Sequence, residues 1–268
     1  MPSSLSVADL PLGPDGLNGS NNPSAIKISE LTEALNITYE GGAIRKEGGA
    51  SLYTPAAISG SPVILGGTDW RYDGITQRSI IFTSAGNLLK DSGTGAYSTV
   101  LKAGLTATDV NPRFCEGGKE AAANNRKLFI FTGKNAGQVL SADGATTTDL
   151  ATPPADWTAG KPTFGTPHDQ RIWAGGNTND PHRLYYSMPT NHENYTGAGS
   201  GSISVYPGEG ERLVGAISFK GLLIAFKFPT GIYAIDTTSP SVANWRVNKV
   251  SGAVGMANEN ALAEMTDD

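Results

Sequence analysis

The sequence predicts an all-β protein: a β-propeller-like repeat of about four four-stranded blades, with an N-terminal arm, a short helix and a hairpin before it. Three observations predict this. Four stretches can be laid over one another: "SIIFTSAGNLLKDSG" (79–93), "LFIFTGKNAGQVLSADG" (128–144), "RIWAGGNTNDPHRLYYSM" (171–188) and "LLIAFKFPTGIYAID" (222–236). Each is an apolar strand, a polar or glycine-rich turn and a second apolar strand. Aligning Ile80, Phe129, Ile172 and Leu223 gives spacings of 49, 43 and 51 residues, close to the ~40–50-residue period of propeller blades. Second, 34 glycines and 16 prolines make up nearly a fifth of the 268 residues, and most glycines punctuate apolar runs, as tight turns require. Third, long helical patterns are nearly absent. A sandwich has strands without this higher-order repeat, so the period favours blades, each of which must stack on a neighbour to bury its apolar rows.

In chain order, residues 1–27 read as an extended arm, with prolines and "NGSNNPS". Residues 28–61 hold a short helix and a hairpin. Ser29 is a candidate N-cap, Glu30 and Glu33 suit the first turn, and Leu31, Ala34 and Leu35 share one face. "NITYEGGAIRKEGGA" alternates around Gly41 and Gly42, a hairpin signal. Residues 62–250 form the propeller-like domain. "TDWRYDGI" before the first core and "GERLVGAISFKG" before the last supply further strands. Residues 251–268 carry four acids and no base, and read as an acidic tail or the start of a further blade. Four cores suit either a ring of four or a ring completed by another segment or chain; an open one would expose strand edges.

Bulk properties exclude several classes. A net charge of -5 argues against a phosphate-gripping surface. The single Cys115 rules out an internal disulfide or multi-cysteine zinc site and reads as a small buried apolar residue. No apolar run approaches a membrane span, and "MPSSLSVADLPLGPDG" is not a secretory signal.

Nothing reads as a catalytic, cofactor or metal site, and the chain is expected not to be an enzyme. His168, His182 and His192 lack metalloprotease spacing and are expected to be solvated loop residues. "GAGSGSIS" around Ser200 has no nucleophile motif and reads as a flexible loop. "CEGGKE" has Arg113 and Glu120 where a phosphate loop needs glycine and Ser or Thr. "SADGATTTD" holds Ser141 and Asp143 but not the rest of a sialidase-type aspartate box, and reads as a β-turn. Among Asp15, Asp69, Asp73, Glu193, Glu209 and Glu211 nothing singles out a glycosidase pair. Trp70, Trp157, Trp173 and Trp245 suit inter-blade packing better than sugar stacking. Lys220 and Lys227, interleaved with aromatics, do not make a nucleic-acid platform.

The order of features carries a resemblance. A polar arm leads to "LTEALNITYEGGAIRKEGGA", where Asn36, Gly41, Gly42, Arg45, Gly48 and Gly49 stand in a recognisable cadence, and "FTSAGNLLK" and "FIFTGKNAGQVL" follow. Over about residues 10–250 the arrangement resembles the tail nozzle proteins of short-tailed bacteriophages, also called tail tubular or head-stabilisation proteins. The resemblance implies a propeller with an added β platform, assembled as a hexameric tube below the portal and adaptor rings. It implies a structural virion protein of the tail, without cofactor, assembled in the host cytoplasm. Such a subunit extends the DNA-ejection conduit, lets DNA pass through the lumen without sequence-specific binding, and joins adaptor to tail fibres or spikes. Members of that family run on past the point where this chain stops, so a truncated form, or completion by another segment or chain, is expected. The competing readings are a glycan-binding or glycan-cleaving receptor-recognition β protein, and a cytosolic scaffold propeller. The latter's usual Trp-Asp signature is missing, since "DW" at 69–70 and 156–157 runs in reverse.

Overall fold

The structure is a computed structural model. It describes residues 37–40, 43–46 and 57–261, apart from 73–75, 118–125, 142–143, 190, 210–211 and 258–260. The chain divides into two units, residues 1–53 and 54–268. In the first, β1 (Ile37–Glu40) and β2 (Ala43–Lys46) pair antiparallel, with Glu40 opposite Ala43. That is the register of a two-residue connection, as the Gly41–Gly42 signal predicts. The predicted arm and the helix at 28–35 lie outside the described residues.

The second unit is all β and holds four four-stranded antiparallel meanders. Blade 1 comprises β3 (Ile64–Arg71), β4 (Gln77–Thr83), β5 (Leu88–Lys90) and β6 (Thr99–Lys102). Blade 2 comprises β7 (Arg113–Gly117), β8 (Lys127–Phe131), β9 (Gln138–Leu140) and β10 (Thr147–Asp149). Blade 3 comprises β11 (Phe164–His168), β12 (Arg171–Gly175), β13 (Arg183–Tyr186) and β14 (Gly201–Ser204). Blade 4 comprises β15 (Arg212–Phe219), β16 (Leu222–Phe228), β17 (Ile232–Asp236) and β18 (Arg246–Ser251). The first strands touch in succession, β3 on β7, β7 on β11 and β11 on β15. This is the blade order of a propeller, with first strands innermost.

The middle strands explain the stacking. A strand's side chains alternate between faces, so an apolar run without polar interruption must be buried on both. In β8, Leu128 and Ile130 join Trp70, Ile80, Phe82 and Leu88 of blade 1. Phe129 and Phe131 turn the other way and join Ile172, Ala174 and Tyr185 of blade 3. In β12 the alternation repeats, and Trp173 packs with Leu223, Ala225, Tyr233 and Trp245 of blade 4. Three apolar cores therefore join four blades, and no fourth core joins blade 4 to blade 1 among the described residues.

Glycines let the inner strands crowd together. A Cβ on Gly165 of β11 would lie 2.3 Å from a Phe131 ring carbon and 3.1 Å from Cys115 Sγ, both in blade 2. One on Gly117 of β7 would lie 2.6 Å from Ile172 Cδ1 in blade 3. Cys115 is buried as predicted, and burial pushes its thiol pKa far up.

Of "GAGSGSIS", Gly201–Ser204 is the outer strand of blade 3, and Ser200 lies in the turn before it, its Oγ donating to Gly197 O at 2.6 Å. Residues 252–256 follow β18 directly. Gly231 N donates to Val254 O and Met256 N to Lys227 O, so the segment folds back on the β16–β17 turn of blade 4. No helix among the described residues is long and apolar enough to cross a membrane.

Candidate functional site

Several polar groups tie one blade to the next. Between blades 1 and 2, Lys90 Nζ donates to Gly144 O at 2.6 Å, and Lys102 Nζ lies 3.2 Å from Asp149 Oδ1. Gln138, then Lys102, hold the Asp149 carboxyl below its usual range. Asn135 bridges in both directions, accepting from Thr106 N and donating to Thr106 O. Between blades 2 and 3, Lys127 Nζ lies 2.7 Å from Glu193 Oε1, with both side chains about four-fifths buried. That assigns Glu193, one of the six acids considered above, to an inter-blade ion pair.

The histidines depart from expectation. His168 and His192 are buried, not solvated. "HDQR" is the β11–β12 turn, with Asp169 and Gln170 at positive φ. His168 is therefore the last residue of an inner strand, facing blade 4. Its Nδ1 lies 2.8 Å from Ser218 Oγ and its Nε2 2.9 Å from Thr237 Oγ1. Burial lowers its pKa, so the ring is held neutral. His192 Nε2 donates to Gln170 O at 2.8 Å. A single sequence gives no sign of these contacts, because their partners lie 50 and 69 residues away.

All four tryptophans are buried in the inter-blade cores. Trp173, Tyr186 and Trp245 form a three-ring cluster with centroids 5.0–5.4 Å apart, and the Arg171 guanidinium caps two of the rings. None offers a face to a sugar. Lys227 is fully buried; Nζ donates to Tyr206 O at 2.8 Å and lies 5.1 Å from the Tyr233 ring centre. Glu209 accepts from Tyr233 Oη and Lys249 Nζ, and these bonds, Tyr233's first, lower its pKa. Asp69 accepts from Gln77 at 3.0 Å. Asp15, Asp73 and Glu211 lie outside the described residues.

The carboxylates that do converge are not among the six considered above. Asp156 Oδ2 and Asp180 Oδ2 lie 3.2 and 3.1 Å from Tyr185 Oη, and Arg183 Nη1 lies 3.3 and 3.6 Å from the same two oxygens. One hydroxyl proton serves two carboxylates, and the guanidinium offsets one of their two charges. Burial, then Asp180, push the Tyr185 hydroxyl pKa well up. The pair is closed around its own tyrosine and arginine, as a structural latch is. Among the described residues no group of three or more His, Cys, Asp or Glu could hold a metal ion.

What remains is apolar surface at the two ends of the blade series. The far face of blade 4 follows from the register: Gly215–Phe226–Ile232, then Ile217–Ile224–Ala234, then Phe219–Leu222. Along β16 and β17 residues alternate between buried, toward blade 3, and half-buried, away from it. Phe219 is 52%, Phe228 41% and Val250 63% exposed. At the other end, Val63 just before β3 and Ile64 and Val100 of blade 1 are exposed, whereas Ile81 and Leu89, in the same row as Val100, are buried. Beside Val100 lies a mostly apolar cleft of about 310 Å³, lined by Leu89, Tyr97, Ile58 and Pro62 among others. No large exposed apolar residue belongs to a strand of blades 2 or 3 among the described residues.

No family model and no curated protein matches the chain. Solved structures do. The chain is similar to the Dos1 propeller (10% identity, 79% of this chain and 54% of that one, TM-score 0.45) and to U3-55K (7%, 72% and 56%, 0.45). It is also similar to BBS1N, solved in complex with ARL6DN (13%, 67% and 53%, 0.41). The chain spans about half the length of these structures.

Proposed function

We propose that this chain is a structural virion protein, a nozzle subunit in the tail of a short-tailed bacteriophage. Copies assemble as a ring of about six around the DNA-ejection conduit, between the adaptor and portal side above and fibres or spikes below. The reading starts from the order of arm, hairpin and repeated β units. The observation that supports it best is the use made of converging polar groups. Lys102–Asp149, Lys127–Glu193 and the His168 contacts each fasten consecutive blades, and a rigid wall needs such fastening more than a catalyst does. In this reading the subunit does no bond chemistry, needs no cofactor, and lets DNA pass a mildly acidic lining without gripping it. It assembles in the host cytoplasm and resides in the virion.

Light scattering with negative-stain imaging tests this, on the protein alone and with a purified portal–adaptor complex. The expected result is a ring of about six copies with a central hole, formed alone or on the adaptor. Failure to form a ring or to bind the adaptor, under conditions where the adaptor binds its own portal, refutes the nozzle role.

A further inference from the structure

We propose that one end of the seam between blades 1 and 2 binds a phosphate-type oxyanion, held by Arg78, Lys90 and Arg126 beside the buried indole N–H of Trp70.

The strand registers bring these residues together. Side chains that share a face of a sheet lie two residues apart along a strand and opposite one another across it. Trp70 of β3 stands opposite Arg78 of β4, and Ile80, two residues on, stands opposite Lys90 of β5. Trp70 and Ile80 pack into the core shared with blade 2, so Arg78 and Lys90 lie on that same face. They are diagonal neighbours, about 7–8 Å apart. Lys90 Nζ reaches blade 2 and donates to Gly144 O at 2.6 Å. A Cβ on Gly144 would meet Tyr72 Cδ1 at 3.3 Å, and the Tyr72 ring centre is 5.8 Å from that of Trp70. Arg126 comes from blade 2. It stands two residues before Leu128, on the side that faces blade 1, and its Nη1 lies 3.5 Å from the carbonyl oxygen of Arg71, next to Trp70.

Charge sets this end of the seam apart. Other cations between blades meet acids: Lys102 meets Asp149 and Lys127 meets Glu193. On the opposite face of β3 and β4, Arg71 donates to Gln77, which donates to Asp69. Arg78, Lys90 and Arg126 are half-buried, and among the described residues none of them makes an ion pair. Their hydrogen bonds go to the carbonyls of Gln77, Gly144 and Arg71. Asp91, the carboxylate of the adjoining β5–β6 turn, is directed at Gly93 N and Gly95 N, both at 2.9 Å. Trp70 is fully buried, and its Nε1 has no hydrogen-bond partner. A buried N–H without an acceptor is rare. Three cations and an unpaired N–H call for a ligand with several acceptor oxygens and more than one negative charge. A phosphate group has both, and guanidinium forks match its oxygens. A carboxylate brings a single charge.

The inference does not rest on the nozzle reading. The test is calorimetric titration of the whole chain with sodium phosphate, sulfate and acetate at constant ionic strength, together with the Trp70 indole N–H resonance of the labelled protein. The variants are Arg78→Gln and Arg126→Gln. Lys134→Gln, at an exposed lysine of the β8–β9 turn, is the control for loss of one positive charge. Wild type should bind one phosphate with a Kd below about 1 mM, sulfate similarly, and acetate at least about 10-fold more weakly. Each arginine variant should weaken phosphate binding at least about 10-fold, and Lys134→Gln should not. Phosphate should move the Trp70 resonance, a readout that requires no variant to fold. Displacement of bound phosphate by a single-stranded oligonucleotide would support the site and assign the phosphate to a nucleic acid; bound phosphate that the oligonucleotide leaves in place would support it and assign a free or small-molecule phosphate. No saturable binding up to about 10 mM phosphate, arginine variants that bind as wild type does, acetate that binds as well as phosphate, or a Trp70 resonance that stays in place overturns the inference. The first of these is also the result expected if Asp73, Glu120 or Asp143, which lie outside the described residues, supply the negative charge. None of these results bears on ring formation, so the nozzle reading stands or falls separately.

Discussion

Replacing Gly165 with alanine probes how closely the inner strands of blades 2 and 3 approach. The new Cβ would sit 2.3 Å from Phe131 Cε2 and 2.7 Å from Cδ2, against the ~3.5–4.0 Å of an ordinary carbon contact. The ring has little room to retreat: on its other side a Cβ at Gly137 would already lie 3.2 Å from Phe131 Cε1. Relief requires the two blades to part by about 1 Å, which loosens the core of Cys115, Phe129, Ile172 and Tyr185. Overpacking of this kind costs about 1–3 kcal/mol. The smaller chain entropy of unfolded alanine returns about 0.4–1 kcal/mol. A net loss of about 1.3 kcal/mol is expected. With a urea slope of about 2 kcal/mol per molar, the unfolding midpoint should fall by about 0.6 M. Phe131→Leu alone leaves a partial cavity and should also destabilise, by about 1–2 kcal/mol. Together the two changes remove the clash, so the double variant should be more stable than the sum predicts by at least about 1 kcal/mol. Equilibrium urea unfolding of the four proteins measures that coupling. An alanine variant within about 0.5 kcal/mol of wild type, or additive effects, would refute the argument that Gly165 is present for close blade approach.

Other perturbations have defined outcomes. Glu193→Gln leaves Lys127 with a neutral acceptor in a mostly buried setting and should cost about 1–2 kcal/mol, read as a urea midpoint shift that changes little with salt. His168 has a folded pKa below its unfolded value of 6.5, so the unfolded chain takes up the proton first. Stability from this group is complete above that value and is lost as pH falls through the folded pKa. The melting temperature should therefore drop on acidification below pH 6.5, before carboxylates such as Asp149 and Asp236, whose pKa values are lowered, begin to protonate. His168→Gln should flatten that part of the profile. The four buried tryptophans should emit at short wavelength, resist acrylamide, and be indifferent to added oligosaccharides; strong quenching that a glycan relieves would argue for an exposed indole platform.

The repeat was legible because it rests on burial. "SIIF", "LFIF", "RIWA" and "LLIAF" are apolar without interruption, and that requires two covered faces whatever the topology. The hairpin at 37–46 was legible through its glycine pair. The contacts that join blades were not. Gly165 and Gly117 lie inside strands, where glycine alone reads as a break; only the rings of Phe131 and Phe129 and the Ile172 side chain supply the reason. His168 looked like a loop residue because its neighbours are polar, yet it ends an inner strand and is satisfied by two hydroxyls from the next blade. Asp156 and Asp180 are brought together by a short 3-10 turn at Ala155–Thr158 and the β12–β13 connection, a proximity that no spacing rule encodes.

Each blade is drawn from one continuous stretch of chain, and among the described residues no strand is lent from one blade to another. The order of synthesis is therefore also the order of assembly. As each group of four strands leaves the ribosome, it can pair within itself by closing short loops, and then find the preceding blade already waiting with a matching face. The same property makes length adjustable. Duplicating or deleting one such stretch adds or removes a whole layer, and the contacts on either side are of the kind the neighbouring layers already make.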